Sequence, residues 1–560
     1  MRITDTADLW WKNAVVYCLD VETFYDSDGD GVGDFEGLAH RVDYLADLGV
    51  TCIWLMPFYP TANKDDGYDV TDFYSVDPRL GTLGDFVEFV RTAHDRGLKV
   101  IADLVVNHTS AHHAWFESSR DPASPYRDWY VWRESPPEDG PEGEVFPGDQ
   151  GGLWEYDEEA GAYYLHRFYK HQPDLNVANP AVRDEIAKIL GFWMQLGLHG
   201  FRVDAVPFLL ETSGVDDGME KLPDPHGYLR DLRAYLSRRR GDGVLLGEVN
   251  LSHEQQMAFF GDEDGDELNL LFDFPTMQAM YLSMARGDAG PLRATVMNRP
   301  ESPEDCQWAT FVRNHDELTL DKLSGSEREE VFAAFGPDKD MQLYDRGLRR
   351  RLPPMVKGDQ RRIRLAYSLL FSLPGTPTLF YGEEIGMGEN LDVPDRLAVR
   401  TPMQWMPGPG AGFSHVADPN RLARPLVEGD FGPDRVNALD QRRDRESLLH
   451  WMRVMIRRYR ELPELAWGST SVLDHDVASL LVHRSDWEGH SVLVAHNLAG
   501  ARRSVTVTLA DAEEEGYVLR DLLDGGSELP VGKGGKVGLD LPPYGFAWYR
   551  LVREGDRRLL

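Results

Sequence analysis

Cysteine is nearly absent from this chain. Three of its 560 residues are cysteines, Cys18, Cys52 and Cys306, each in an apolar or strand-like stretch and with no paired spacing. That excludes a disulfide frame, and the three read as buried free thiols of a reducing compartment. Long hydrophobic runs are also missing. No apolar stretch reaches the roughly 20 residues that a membrane-spanning helix needs. The segment Met1-Arg2-Ile3-Thr4-Asp5 has no apolar core of the secretory type, so a cytoplasmic protein is expected. Positive charge is in deficit: 59 Lys and Arg stand against 94 Asp and Glu, a net −35. This argues against nucleic acid and anionic membrane as partners. The chain has no internal repeat and no low-complexity linker.

What is present is a globular composition, 42% hydrophobic and 11% aromatic, in a chain long enough for roughly two to four domains. The first hundred residues alternate strand and helix. Apolar strands are expected at 14–17, 50–56 and 99–106. Helical spacing places Leu38, Val42, Leu45, Ala46 and Leu48 on one face over 38–48, and Phe86, Phe89, Val90 and Ala93 on one face over 83–96. This rhythm predicts a parallel sheet covered on both sides. It breaks over 109–174, a stretch rich in Trp, Tyr, Pro, Gly and acids with a hairpin pattern at 153–156 and 163–167. That is too long for a loop and predicts a small inserted domain. The rhythm resumes with a helix at 180–196 and strands near Gly200, Val244, 269–272 and 308–312. A charged stretch at 321–359 reads as helical and surface-lying, either a solvated helix pair or a lid. A helix at 361–373 and a strand at 378–381 close an eighth unit, and 448–462 reads as the final helix. From about Gly468 the pattern turns to period-two strands. The expected fold is α/β: a (β/α)8 TIM barrel in two parts, 1–108 and 175–466, with an inserted subdomain at 109–174 and a C-terminal antiparallel β-sandwich at 467–560.

Three carboxylates stand at expected strand ends. Asp204 lies in Gly200-Phe201-Arg202-Val203-Asp204-Ala205, Glu248 in Leu245-Leu246-Gly247-Glu248, and Asp316 follows Arg313-Asn314-His315. Barrel enzymes keep their chemistry at the carboxyl ends of the strands. One carboxylate to attack a sugar carbon and one to protonate the leaving oxygen, about 5–5.5 Å apart, suffice for glycoside cleavage with retention. Arg202, two residues before Asp204, shares its face and is expected to lower its pKa and keep it ionised. A structural Arg–Asp pair is the plainer alternative. Glu248 needs a raised pKa, from burial and from Asp204. The acidic loop from Asp26 to Asp34, Asp-Ser-Asp-Gly-Asp-Gly-Val-Gly-Asp, imitates the start of an EF-hand, but Gly37 stands where the bidentate Glu belongs.

In order along the chain, Asp103-Leu104-Val105-Val106-Asn107-His108, the Gly200–Ala205 run, Gly247-Glu248 and Asn314-His315-Asp316 resemble the motifs of the α-amylase superfamily, glycoside hydrolase family thirteen. A closer resemblance is to the trehalose synthases. It rests on Asp65-Asp66-Gly67-Tyr68-Asp69-Val70, the run from His166 to Asn176, Arg313-Asn314-His315-Asp316-Glu317-Leu318-Thr319 and the run from Val399 to Trp405. Two departures bear on specificity: Gly247-Glu248-Val249-Asn250 stands where trehalose synthases usually carry Ala-Glu-Ala-Asn, and Cys18 where they usually carry Glu or Gln.

The resemblance implies Asp204 as nucleophile, Glu248 as general acid/base and Asp316 as the carboxylate that binds sugar hydroxyls. It implies His108 and His315 as donors to the bound glucose, with Phe168 and Arg202 in the same site. Asp65 pairs with Arg400 to close the non-reducing end, over a platform supplied by Tyr68. A closed end makes a pocket, so a short oligosaccharide is the expected substrate. The resemblance also implies structural Ca2+ in the first loop, through Asp26, Asp28, Asp30, Asp34 and the carbonyl of Val32. A second ion would sit at Asn107, Asp174, Glu211 and the carbonyls of Phe208 and Leu209. No organic cofactor is expected, and assembly into a homo-oligomer is compatible with the sequence. The implied activity is interconversion of maltose and trehalose by intramolecular glucosyl transfer. The alternatives are an α-glucosidase that hydrolyses short α-glucosides, and a non-catalytic carbohydrate-binding barrel.

Overall fold

A computed structural model describes residues 9–135, 144–146, 150–210, 224–416, 418–510, 512, 516–523 and 525–553. Eight strands close into a barrel: β1 (Val16–Leu19), β2 (Cys52–Leu55), β3 (Lys99–Leu104), β4 (Gly200–Val203), β5 (Val244–Gly247), β6 (Leu270–Phe272), β7 (Gln307–Phe311) and β8 (Thr376–Phe380). Every neighbouring pair is parallel, and β1 pairs with both β2 and β8. Apart from Lys99 at the start of β3, every strand residue is buried. Strands flanked on both faces are continuous apolar runs for this reason.

The helices that cover the barrel start and stop on local chemistry. Asp34 caps Phe35–Leu48 by accepting from the Gly37 N–H, and Gly49 ends it in the left-handed region. Thr82 and Asp85 form a reciprocal capping box at the start of Leu83–Asp95. Asn179 caps Pro180–Gln195, with Pro180 at the first helical position.

The insertion after β3 carries a three-stranded antiparallel sheet of Trp132–Arg133, Trp154–Asp157 and Ala162–Leu165. Single bridges between His108 and Asp174 and between Tyr130 and Leu175 tie it to the end of β3. The 321–359 stretch is not the helical segment its charges suggest. Only Gly325–Phe335 and the short Leu352–Met355 are α-helical. Leu318–Thr319, Gln342–Leu343 and Gly347–Leu348 form a small antiparallel sheet beside them. Strands of two residues are too short to show a period in the sequence.

The C-terminal part is a six-stranded antiparallel sheet faced by the ribbon Arg503–Thr508/Lys536–Leu541. Its own core includes Leu480, Val482, Leu493, Val505, Val537 and Leu539. The three cysteines are buried and free, and no helix among the described residues is long and apolar enough to cross a membrane.

Candidate active site

The two carboxylates expected to react sit one step beyond two adjacent strands. The Asp204 N–H donates to the Leu104 carbonyl (3.2 Å) and the Glu248 N–H to that of Val203 (3.1 Å), so each residue extends the barrel ladder at its carboxyl end. Arg202, fully buried on β4, joins them. Its Nη1 lies 2.5 Å from Asp204 Oδ1 and its Nη2 2.7 Å from Glu248 Oε2, while Nη1 also contacts Asp103 on β3. The shared face expected for Arg202 and Asp204 is therefore present. The expected pKa of Asp204 is reversed, however. Burial pushes it up to about 6 with help from Asp103 and Asp316, and Arg202 only opposes the rise. Taking a carboxylate out of water outweighs one guanidinium shared among three acids. Glu248 is pushed up to about 7 by burial, with Asp204 and Asp316 raising it and Arg202 lowering it. That order, the nucleophile below the acid, is what the two roles need.

Asp316 lies five residues beyond β7, in a loop that Arg313 shapes from inside. The buried Arg313 donates to the carbonyls of Asn314 (2.8 Å), Asp316 and Arg350. Burial opposes ionisation of Asp316, yet His315, Arg396 and Arg400 together hold it far below the usual carboxylate range. Arg396 Nη1 (2.8 Å) and Arg400 Nη2 (3.0 Å) both reach its Oδ1.

The pairing expected at the end wall is not the one found. Asp65 pairs with Arg396 (2.6 Å) and accepts from Gln172 (2.9 Å), while Arg400 pairs with the neighbouring Asp66 (2.6 Å). Arg396 and Asp66 were not legible as site residues. Arg396 is carried on the short 3-10 turn Asp395–Val399, four residues before the motif arginine, and nothing local marks it.

The remaining expected residues surround the same space. His315 Nε2 lies 2.6 Å from Tyr68 Oη and 3.2 Å from Asp316 Oδ2, and its ring stacks on that of Tyr68 at 5.6 Å. Burial drives the His315 pKa well down and that of His108 to about 4, so both rings are neutral at pH 7. His108 Nε2–H donates to the Tyr68 carbonyl (3.0 Å), so its one N–H is engaged inside the protein and not turned to a sugar. Phe168 packs between His108 (5.1 Å) and Phe208 (5.6 Å). Asp65, Tyr68, His108, Phe168, Asp204, Glu248, Asp316 and Arg396 line one cavity of about 440 Å³. Asn250, Glu317, Asp321, Lys322 and Arg346 line the same cavity, a polar set beyond the site residues expected from the sequence.

A family model of the α-amylase catalytic domain matches residues 20–334. The chain belongs to the α-amylase family. A trehalose synthase from Thermus thermophilus is 41% identical over 97% of this chain and 56% of that protein, so the chain spans about half of its length. The trehalose synthase/amylase TreS of Mycolicibacterium smegmatis is 39% identical over 99% of this chain and 94% of that one. Among solved structures, the isomaltulose synthase SmuA from Protaminobacter rubrum aligns with a TM-score of 0.77 at 25% identity, covering 97% of this chain and 99% of that chain.

Two acidic clusters in this α-amylase-family chain bear on metal binding. Carboxylate oxygens of Asp26, Asp28 and Asp34 lie within 4.8 Å of one another, close enough to share one hard cation. Asp30 stands outside that cluster and accepts from the Val32 N–H (2.8 Å) instead. Asp20, Glu22 and Asp66 also converge, but Arg79, Arg400 and Arg424 already pair with Glu22 and Asp66. At the expected second site Asn107 Nδ2 donates to Asp174 Oδ1 (3.3 Å). Phe208 and Leu209 lie on the helix Val206–Leu210 just after β4, and Glu211 falls outside the described residues.

Proposed function

We propose that the chain interconverts maltose and trehalose by moving a glucosyl unit within one closed pocket, with hydrolysis to glucose as a side reaction. The observation that carries this reading is the Arg202 bridge between Asp204 and Glu248, in one cavity with Asp65, Asp316 and Arg396, which are tied together, and to Arg400, by ion pairs. The trehalose synthases, 39–41% identical across nearly this whole chain, support the substrate.

Asp204, ionised at neutral pH, attacks the anomeric carbon of the non-reducing glucose of maltose. Glu248 protonates the glycosidic oxygen, and glucose leaves with that bond. The C1 ester on Asp204 then faces a retained glucose. Glu248, now a carboxylate, takes the proton of that glucose's anomeric hydroxyl, whose oxygen displaces Asp204 to give trehalose. Asp316, held ionised by two arginines, accepts from sugar hydroxyls and favours the distorted ring. The same ester attacked by water gives glucose.

Product chromatography after incubation with maltose, and separately with trehalose, tests the reading. Formation of each sugar from the other is expected; glucose alone would make the chain an α-glucosidase. Asp204→Ala is expected to lower maltose turnover at least about 10⁴-fold. Persisting turnover would end the assignment of the nucleophile.

We further propose that Asp26, Asp28 and Asp34 hold a structural Ca2+ in the loop after β1. When bound, the ion neutralises that acidic turn and stiffens it, and it takes no part in the reaction.

A further inference from the structure

Arg400 is held from two sides. Its Nη2 reaches Asp316 Oδ1 (3.0 Å), its Nη1 reaches Asp66 Oδ2 (2.6 Å), and its Nε donates to the His315 carbonyl (2.9 Å). The other oxygen of Asp66, Oδ1, accepts from Nη2 of Arg424, and the same nitrogen lies 3.1 Å from Glu22 Oε2. Arg424 is not among the described residues that line the cavity, and its side chain is largely buried. The charges of Arg424, Asp66, Arg400 and Asp316 thus alternate in sign from outside the cavity to its lining.

The segment that carries Arg424 is fixed by its backbone. The Ala423 N–H donates to the Gly31 carbonyl in the loop after β1 (2.8 Å), and a Cβ added to Gly31 would stand 2.2 Å from the Arg421 carbonyl oxygen. Asn390 Nδ2 donates to the Leu426 carbonyl (2.7 Å). Cations are also scarce around Asp66. It converges with Asp20 and Glu22, and Asp20 is already pushed up to about 7 by burial and by its two acidic neighbours. Burial opposes ionisation of Asp66 too, yet Arg424 first and Arg400 next hold it down at about 2. Without Arg424 these acids would have Arg79 and Arg400 alone to balance them. In a dry place that imbalance draws Arg400 away from Asp316.

We infer that Arg424 is a positioning residue of the pocket: by holding Asp66 it fixes Arg400, and through Arg400 the orientation of Asp316. It acts through two intermediaries and touches no group of the reaction. This rests on the proposed function only as far as Asp316 binding the sugar, a step that transfer and hydrolysis share. A carboxylate that accepts from hydroxyls of the bound sugar must face them, so its misplacement weakens substrate binding and appears in KM as well as in kcat/KM.

The test is the initial rate of maltose consumption, counted whether the product is trehalose or glucose, with a melting temperature for each variant. Arg424→Met is expected to raise KM about fivefold or more and to lower kcat/KM about tenfold or more. A preparation that is merely part-unfolded loses kcat at unchanged KM. Both contacts of Arg424 leave from Nη2 and neither is bidentate, so an ammonium can replace them. Arg424→Lys is therefore expected to recover most of the loss, to within about threefold of the parent. In an Asp66→Asn background Arg424→Met is expected to add less than about a further twofold, because the carboxylate it acts through is already gone. Arg424→Gln takes its place in this cycle if the methionine variant does not fold. An unchanged KM in Arg424→Met, or the same loss repeated in the Asp66→Asn background, would overturn the proposal. A parent that makes only glucose would overturn the maltose–trehalose function and leave this proposal standing. A parent that consumes no maltose would overturn both.

Discussion

At the scale of single residues, the site is governed by how little positive charge Arg202 can share. Three carboxylates contact one guanidinium in a dry place, so desolvation dominates and all three are pushed up, Asp103 and Asp204 to about 6 and Glu248 to about 7. Catalysis needs Asp204 ionised and Glu248 protonated. The acid limb of kcat/KM thus reports Asp204 taking up a proton as pH falls through about 6. The alkaline limb reports Glu248 losing its proton as pH rises through about 7. A narrow bell is expected, and its two apparent values belong to the coupled pair. Glu248→Gln is expected to lower maltose turnover about 10²–10⁴-fold. With an aryl glucoside whose leaving group needs no proton, that variant is expected to lose the alkaline limb. A limb that survives there assigns it to another group. Asp204, Glu248 and Asp316 were legible in the sequence because strand-end position and motif order are local properties. Arg396 and Asp66 were not, because which acid a guanidinium finds is decided by segments more than 300 positions apart.

At the scale of elements, the loop after β1 shows how far local pattern reaches. Its alternating acids announce a cation, and three of the four converge. The loop is also tied without any ion. Asp26 accepts from the N–H groups of Gly29 (2.7 Å) and Gly31 (2.9 Å), and Asp34 accepts from the Ser27 N–H (2.8 Å). Gly33 is required there, because an added Cβ would stand 2.1 Å from the Val21 carbonyl oxygen. Chelation with EDTA is expected to lower the melting temperature by roughly 2–6 °C, and Asp28→Asn is expected to shrink that response. An unchanged melting curve would remove the ion from the loop. The 321–359 stretch is the opposite case. Its helix is legible, but its small sheet is not, since strands of two residues are too short to show a period.

At the scale of the whole molecule, the C-terminal sheet is docked on the barrel through buried polar groups. Ser368, on the helix Gln360–Ser372, accepts from Trp548 Nε1 (2.9 Å) and lies 2.9 Å from His496 Nε2. The His496 ring is parallel to that of His483, 6.1 Å away. Neither nitrogen of His483 has a hydrogen-bond partner among the described residues, and burial alone pushes its pKa down to about 4. The His496 pKa is driven well down by burial and by His483. A histidine with a lowered folded pKa lets the unfolded chain bind more protons between pH 6.5 and 4. Stability is therefore whole above about 6.5 and is lost as pH falls through that window, by roughly 3 kcal/mol for His483. His483→Phe is expected to flatten this acid loss, with a higher melting temperature than the parent at pH 5 and little difference at pH 8. Parallel curves would place the acid sensitivity elsewhere.

The sequence by itself determined the barrel, the order of its units, the separate β-rich end and the strand-end places of the three candidate carboxylates. These follow from periodicity, turn chemistry and motifs a few residues long. Tertiary structure alone decided which arginine meets which acid, that burial and not Arg202 controls Asp204, and that Phe146 and Arg396 line one cavity with those acids. Each of those depends on the dielectric and the company that distant segments provide, and neither is written in any short stretch of chain.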